Sequence, residues 1–389
     1  MSHIYCKSIH AATPAGMSLK ATFNAVLNGE NRQMQLRPAE DFQVAEPVMA
    51  SLFDRDELIP MLLEATADMQ PDATLFERLC VWSAREALKA TDVDPAAATT
   101  LLIISTTKGN VELLNDNIAD HRAPLCYSAE VIAKALGCHN EPITVSNACV
   151  SGVAALATAC SLLTGTDFTD AIVVGCDLIN RFIISGFQSF KALSKGHCRP
   201  YDSDRCGLNL GEAVATFILS EANHNEIPSG EPVVVGWSQH NDANHISGPS
   251  RSGEGMFRVI NDLLDAVDHS DPAHIGAIYT HGTATLYNDE MEAIAINRAG
   301  LADVPVSAVK NVLGHTLGAA GLVETALAVE ATRQGIVLPT HGFARRGTSV
   351  AVNVSAQPVM LQKPLFFKIL SGFGGTNAGI AISLKGGDR

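Results

Sequence analysis

The chain has 389 residues, 47% of them hydrophobic and 17% charged; these proportions exclude intrinsic disorder and leave room for one large domain or two packed halves. A formal charge of −14, carried without long acidic blocks, offers no electrostatic footprint for a nucleic acid or an anionic membrane. The opening residues MSHIYCKSIHAATPAG have neither a basic nor an apolar leader region, and no stretch approaches the roughly 20 apolar residues of a membrane span, so a cytoplasmic protein is expected.

In chain order, the apolar patterning predicts helices over 19–27 and 75–89, a strand over 101–105, and a short strand over 143–146 leading into a helix over 150–163. Strands follow at 171–175, 213–219 and 233–237, then a helix at 255–266, a strand at 275–279 and a helix at 289–298. A strand at 304–307, a helix at 317–333 and strands at 349–354, 366–370 and 379–384 complete the chain. The strands are short, rich in Val and Ile and apolar on both faces, as in a helix-covered sheet, so the fold class is α/β. The helices 150–163 and 317–333 are apolar nearly all round and are expected to lie between sheets. Each follows a strand and a short loop. That echo suggests two similar α/β halves, residues 1–222 and 223–389, divided at the polar segment 221–230.

The nine cysteines are odd in number and include no C-x-x-C pair, which argues for reduced thiols and against a disulfide framework. The thirteen histidines include no H-x-x-x-H or H-E-x-x-H pattern, so no metal is expected. Cys149 stands apart because it sits in Val145-Ser-Asn-Ala-Cys149-Val-Ser-Gly, between a strand and a helix rich in small residues. The free amides and positive dipole of a helix N-terminus favour a thiolate, and the turn resembles a nucleophile elbow. A buried structural cysteine has the same local appearance.

Two histidines share the setting of Cys149. His281 follows an apolar run in Thr280-His281-Gly-Thr283-Ala-Thr285, and His315 ends Lys310-Asn-Val-Leu-Gly-His315 at the mouth of a buried helix. If the strands share a sheet, these side chains converge at its carboxyl edge, where open α/β folds place ligands. Glu324 lies in the apolar part of a helix with few charges, and Lys310 is the partner expected for it. Gly372-Phe373-Gly374-Gly375-Thr-Asn377 follows another strand; its glycines permit close backbone approach, with the Phe373 amide facing a substrate and its ring acting as a gate. No G-x-G-x-x-G or G-x-x-x-x-G-K-[ST] run follows a strand, which leaves a nucleotide site unsupported.

These four segments, with Arg199-Pro-Tyr-Asp202, Asp204-Arg205 and Gly207-Leu-Asn-Leu-Gly-Glu212-Ala, resemble the elongating β-ketoacyl-(acyl carrier protein) synthases of the thiolase superfamily from about residue 70 onward. The resemblance implies a thiolase-like fold, with two similar halves in a five-layer αβαβα arrangement. It implies a decarboxylative Claisen condensation of malonyl-ACP with an acyl group held on Cys149, with His281 and His315 as the decarboxylation pair. Lys310 and Glu324 would support them, Phe373 would be the gate, and Thr283, Thr285, Gly374 and Gly375 would contact substrate. No cofactor is implied, since phosphopantetheine arrives on the acyl carrier protein. A degradative thiolase would need a second reactive cysteine near its C-terminus, yet none follows Cys206; an initiating synthase usually has Asn where His315 stands.

The chain departs from the family pattern at His281-Gly-Thr-Ala-Thr285 and Gly211-Glu-Ala-Val214, and it takes a short path from Ser105-Thr-Thr-Lys-Gly-Asn-Val-Glu112 to Cys149. This compact pattern is most similar to ketosynthases of bacterial aryl polyene and flexirubin-type pigment clusters. Fatty acid elongation is the alternative within the enzyme class, and a chain-length-factor-like subunit is the non-catalytic one. The family implies a homodimer, with a heterodimer containing a related ketosynthase-like subunit as the other assembly. An acidic synthase needs a local basic patch for an acidic carrier protein, and Lys191, Lys195, Arg199 and Arg205 cluster in sequence as its candidates.

Overall fold

Alternation along a single strand sets up the layers. In Thr100–Ser105, Leu101 and Ile103 pack toward one side of the sheet and Leu102 and Ile104 toward the other, and all four are buried. The first pair joins a core containing the helices Ser151–Gly165 and Ala320–Arg333; the second joins the helices Arg55–Ala65, Leu75–Leu88 and Leu125–Leu136. The same division recurs in Leu365–Gly372, where Phe366 and Leu370 face the central helices and Phe367 and Ile369 face Glu254–Ala266 and Leu286–Arg298. The result is five layers, helices enclosing two halves of sheet with a helical pair between them. The structure is a computed structural model and describes residues 2–115, 118–245, 248–267 and 274–386.

One half of the sheet runs in the order Ser2–Ala12, Ala213–Asn223, Asp170–Asp177, Thr100–Ser105, Ile143–Val145. The other runs Pro232–Asn241, Thr376–Leu384, Leu365–Gly372, Ala277–Tyr279, Pro305–Ser307, with Asn353–Val354 added at its edge. Numbered by chain position, the first five strands of each half follow the same order, 1-5-4-2-3, with the same parallel and antiparallel pairings. Among the described residues only two pairs, Ile4 with Val234 and Tyr5 with Val233, join the halves into one eleven-stranded sheet. In both halves strands 2, 3 and 4 are parallel neighbours or next neighbours, so the loops after them emerge at the same edge.

The two central helices begin almost in backbone contact. A Cβ placed on Gly152 would lie 2.8 Å from the Gly321 Cα, and one on Gly321 would lie 2.4 Å from the Val153 nitrogen. Glycine at both positions lets the helix that follows Cys149 and the helix that follows His315 bring their N-terminal loops together. The span Ala148–Gly165 has a mean hydropathy of 1.7 over 18 residues, enough by length and composition to cross a membrane, whereas the sequence reading expected no such stretch. Its apolar surface is instead covered by protein, with 67% of the span buried.

The first strand, Ser2–Ala12, was not expected. Its alternation is broken by a register shift between Cys6 and Ser8, so inward residues Ile4 and Cys6 lose step with Ala11. The helix Arg181–Ser189 was also not expected, because Ile183, Ile184 and Gly186 weaken its intrinsic propensity; the Asn180 side chain caps it, and Ile183, Ile184 and Phe187 bury one face. The strand expected at 349–354 is reduced to Asn353–Val354.

Candidate active site

The loops after strands 2, 3 and 4 of both halves supply the site. Cys149 and His315 follow the third strands, His281 follows the second strand of the C-terminal half, and Phe373 follows its fourth. The Cys149 thiol and one nitrogen of each histidine lie within 4.8 Å of one another, and the imidazoles meet edge to face with centroids 4.9 Å apart. All three residues are buried and line one cavity of about 460 Å³. Such a donor set would also suit a soft metal ion, which would cap the thiol.

Cys149 is held on a sharp turn. Ala148 adopts a φ of 46°, a left-handed conformation that costs about 1–3 kcal/mol in a residue with a side chain. Ser151 secures it, because its hydroxyl accepts from the Asn147 amide at 2.8 Å and donates to the Ala148 carbonyl at 2.6 Å. The Phe373 amide favours the charged form of the thiol, and the Gly372 Cα is close enough that an added Cβ would be 3.2 Å from the Cys149 nitrogen. The glycine loop carrying Phe373 thus packs directly on the turn that bears the nucleophile.

The resting thiol is not the thiolate that a helix N-terminus alone suggests. Burial pushes Cys149 up to about 11, against the opposing pull of Lys310, the Phe373 amide and Lys108. Both histidines move the other way: burial and the Lys310 ammonium hold His281 and His315 far below the ordinary imidazole value, so they are neutral. The Leu317 amide donates to His315 Nδ1 at 3.2 Å, which places the ring proton on Nε2. Nε2 has no partner among the described residues and is a free donor beside the cavity. The rate at which iodoacetamide alkylates Cys149 in the free protein should therefore keep rising beyond pH 9.5; a plateau by pH 8 would contradict a protonated resting thiol.

A buried ionic triad fixes the His281 backbone. Lys310 Nζ lies 2.5 Å from Glu324 Oε1 and donates to the His281 carbonyl at 2.6 Å. Lys368 Nζ lies 2.6 Å from Glu324 Oε2 and donates to the Thr280 carbonyl at 2.8 Å. From the other side Glu292 accepts from the His281 and Gly282 amides at 2.7 and 2.9 Å, and Asp289 accepts from the Ala284 and Tyr201 amides. Lys368, Glu292 and Asp289 were missed in the sequence, although a single lysine inside the apolar strand Leu365–Gly372 was a usable signal. Replacing Lys368 by Met leaves Glu324 with one cation and removes the donor to Thr280, so a loss of about 3–5 kcal/mol in denaturant unfolding is expected; K368R should recover part of it.

The remaining expected residues divide. Thr283 and Thr285 line the large cavity, their hydroxyl oxygens 3.0 Å apart. Gly375 also lines it, but Gly374 does not: it is exposed, and the Asn241 side chain holds its carbonyl at 3.0 Å. Lys191 is exposed at the cavity mouth, and Lys195 is exposed 3.6 Å from Glu46. Arg199 is tied to Asp202 at 2.9 Å. Arg205 is no docking residue. Its side chain is buried, 3.9 Å from Glu290 and 4.0 Å from Asp289, and it donates to the Asp202 and Leu286 carbonyls.

A second cavity of about 270 Å³ adjoins the first and also reaches Cys149. Phe187, Phe190 and Phe373 border both, with Phe373 5.8 Å from Phe187 and 5.0 Å from Phe190 between centroids. A thiol thus stands where two chambers meet, with neutral imidazoles on one side and aromatic rings at the partition.

This fold and this arrangement of groups define a thiolase-like α/β enzyme with a cysteine and two histidines at its centre. Residues 8–225 match the beta-ketoacyl synthase N-terminal domain and residues 232–344 the beta-ketoacyl synthase C-terminal domain. The chain belongs to the beta-ketoacyl synthase family, and is an acyltransferase that forms carbon–carbon bonds. It is 27% identical to a putative mitochondrial 3-oxoacyl-[acyl-carrier-protein] synthase of Schizosaccharomyces pombe, over 98% of this chain and 99% of that one. It is 28% identical to the tetracenomycin polyketide synthase ketoacyl synthase alpha subunit of Streptomyces glaucescens, covering 80% and 82%. Among solved structures, a chain from the complex of the ketosynthase ApeO with its chain length factor ApeC, from Xenorhabdus doucetiae, superposes with a TM-score of 0.81 at 24% identity and 98% coverage of both chains.

Proposed function

We propose that this chain is the catalytic ketosynthase of a pathway that builds conjugated, aryl polyene-type acyl chains on an acyl carrier protein. The observation that carries this reading is the smaller chamber beside Cys149, which is walled by the rings of Phe182, Phe187, Phe190 and Phe373. Flat aromatic walls suit a flat conjugated chain through offset and edge-on ring contacts. The likeness to a chain of the ApeO–ApeC complex supports the same direction.

In the first half-reaction the Cys149 sulfur attacks the carrier-bound thioester. The thiol proton passes to a neutral imidazole as attack begins, the acyl–Sγ bond forms, and the pantetheine sulfur leaves and takes up that proton. The Cys149 and Phe373 amides hold the oxyanion. In the second half, malonyl thioester fills the larger cavity and loses CO₂; the electron pair moves to the thioester carbonyl, and His281 and His315 donate to the enolate oxygen. The new carbanion attacks the acyl carbon, Sγ departs as a thiolate and takes up one proton from solvent, and the product is a β-ketoacyl thioester two carbons longer. Phe373 moves as the gate between the two chambers. No free cofactor enters these steps.

A heterodimer with a ketosynthase-like partner fits the open end of the smaller chamber. Phe182 and Gly186 border both that chamber and a surface groove with Asn115 and Arg181, and Phe182 is 55% exposed. A second subunit seated there would close the chamber and set chain length. A homodimer would do the same with a second copy of this chain.

Intact-protein mass spectrometry after incubation with carrier-bound donors tests the pigment reading. Faster acylation by an aryl-enoyl donor than by a saturated donor of equal length is expected. Preference for the saturated chain would return the protein to fatty acid elongation.

A further inference from the structure

Lys108 is a charged residue on the wall of the smaller chamber that the condensation steps do not use. It follows the strand Thr100–Ser105 in the loop Thr106-Thr107-Lys108, and one carboxylate holds that loop rigidly. Asp177, buried at the end of the neighbouring strand, accepts from the Thr106 hydroxyl at 2.7 Å, the Thr107 amide at 2.9 Å, the Thr107 hydroxyl at 2.9 Å and the Lys108 amide at 3.3 Å. The same carboxylate accepts from the Gly318 amide at 2.7 Å, in the loop that follows His315. The backbone bearing Lys108 is therefore fixed relative to the loop that carries His315.

The side chain is half-buried and lines the chamber with Cys149 and the four phenylalanines. Its ammonium donates to the Thr107 carbonyl at 3.1 Å and forms no ion pair with a carboxylate among the described residues. A half-buried ammonium on a residue that lines an aromatic-walled chamber attracts a π-system seated in that chamber, whereas a saturated chain offers it nothing in exchange for lost hydration.

We infer that Lys108 is a specificity-determining residue that selects a π-rich acyl chain, enoyl, polyenoyl or aryl, over a saturated chain of the same length on Cys149. This rests on the conjugated-chain reading above and deepens it by naming the residue. Lys108 also acts electrostatically on the Cys149 sulfur, but that influence is common to every donor and cancels in a ratio of donors.

The experiment compares kcat/KM for acylation of Cys149 by a carrier-bound tetraenoyl donor and by the saturated donor of equal carbon number, in wild type, Lys108→Met and Lys108→Arg. Wild type should favour the tetraenoyl donor by about five- to tenfold, the range of a partly exposed cation–π contact. The ratio should fall to about one in K108M and survive in K108R, with all three proteins melting at similar temperatures. A tetraenoyl preference that persists undiminished in K108M overturns this inference and leaves the pathway reading intact. Absence of any preference in wild type overturns both.

Discussion

Cys149→Ala should abolish acylation of the protein by every carrier-bound donor and lower condensation by about a thousandfold or more, because the acyl group then has no thiol at the junction of the two chambers. The thiol is the one nucleophile among the residues that border both chambers; Cys206 lines the larger one but not the smaller. Malonyl decarboxylation should persist in this variant, since His281 and His315 keep their places through bonds that do not involve Cys149. Intact mass reads the first effect and CO₂ release the second. An acyl adduct of normal yield in C149A would remove Cys149 from the mechanism.

His315→Ala should have its largest effect on the other half-reaction. Either neutral imidazole within 4.8 Å can take the thiol proton, so acyl-enzyme still forms. The enolate, however, requires both donors, and loss of one donor of this kind lowers a rate by about 10²–10³. Acyl-Cys149 should therefore accumulate in H315A while product formation and CO₂ release fall together. Acylation and condensation lost to the same degree would mean that His315 acts mainly as the base for the thiol.

The candidate site was legible where chemistry required an unusual residue in a small-residue loop after a strand. Cys149, His281 and His315 met that condition, as did the glycines around Phe373. The carboxylate Glu324 amid the apolar residues of its helix announced a buried partner, and Lys310 supplies it; Lys368 carried the same signal but lay in a strand read only for its apolar residues. Asp289 and Glu292 gave no such signal, because acidic residues on a helix of mixed polarity usually face water, and only the fold turns these two inward onto the His281 loop. Arg205 was misread for the converse reason: a basic run in sequence says nothing of which arginine the carboxylates Asp289 and Glu290 will draw inside. The duplicated strand order was visible only as an echo, since the first strand of the chain carries a register shift that hides its alternation.

The most direct test of the account is a single turnover. Protein carrying one acyl group is isolated, mixed with excess malonyl carrier protein, and followed for loss of the acyl adduct, CO₂ and carrier-bound product. The account predicts that the adduct disappears from Cys149 as one CO₂ and one β-ketoacyl chain two carbons longer appear. An adduct that remains on the protein while malonyl carrier loses CO₂ and yields only acetyl carrier would contradict carbon–carbon bond formation at this site.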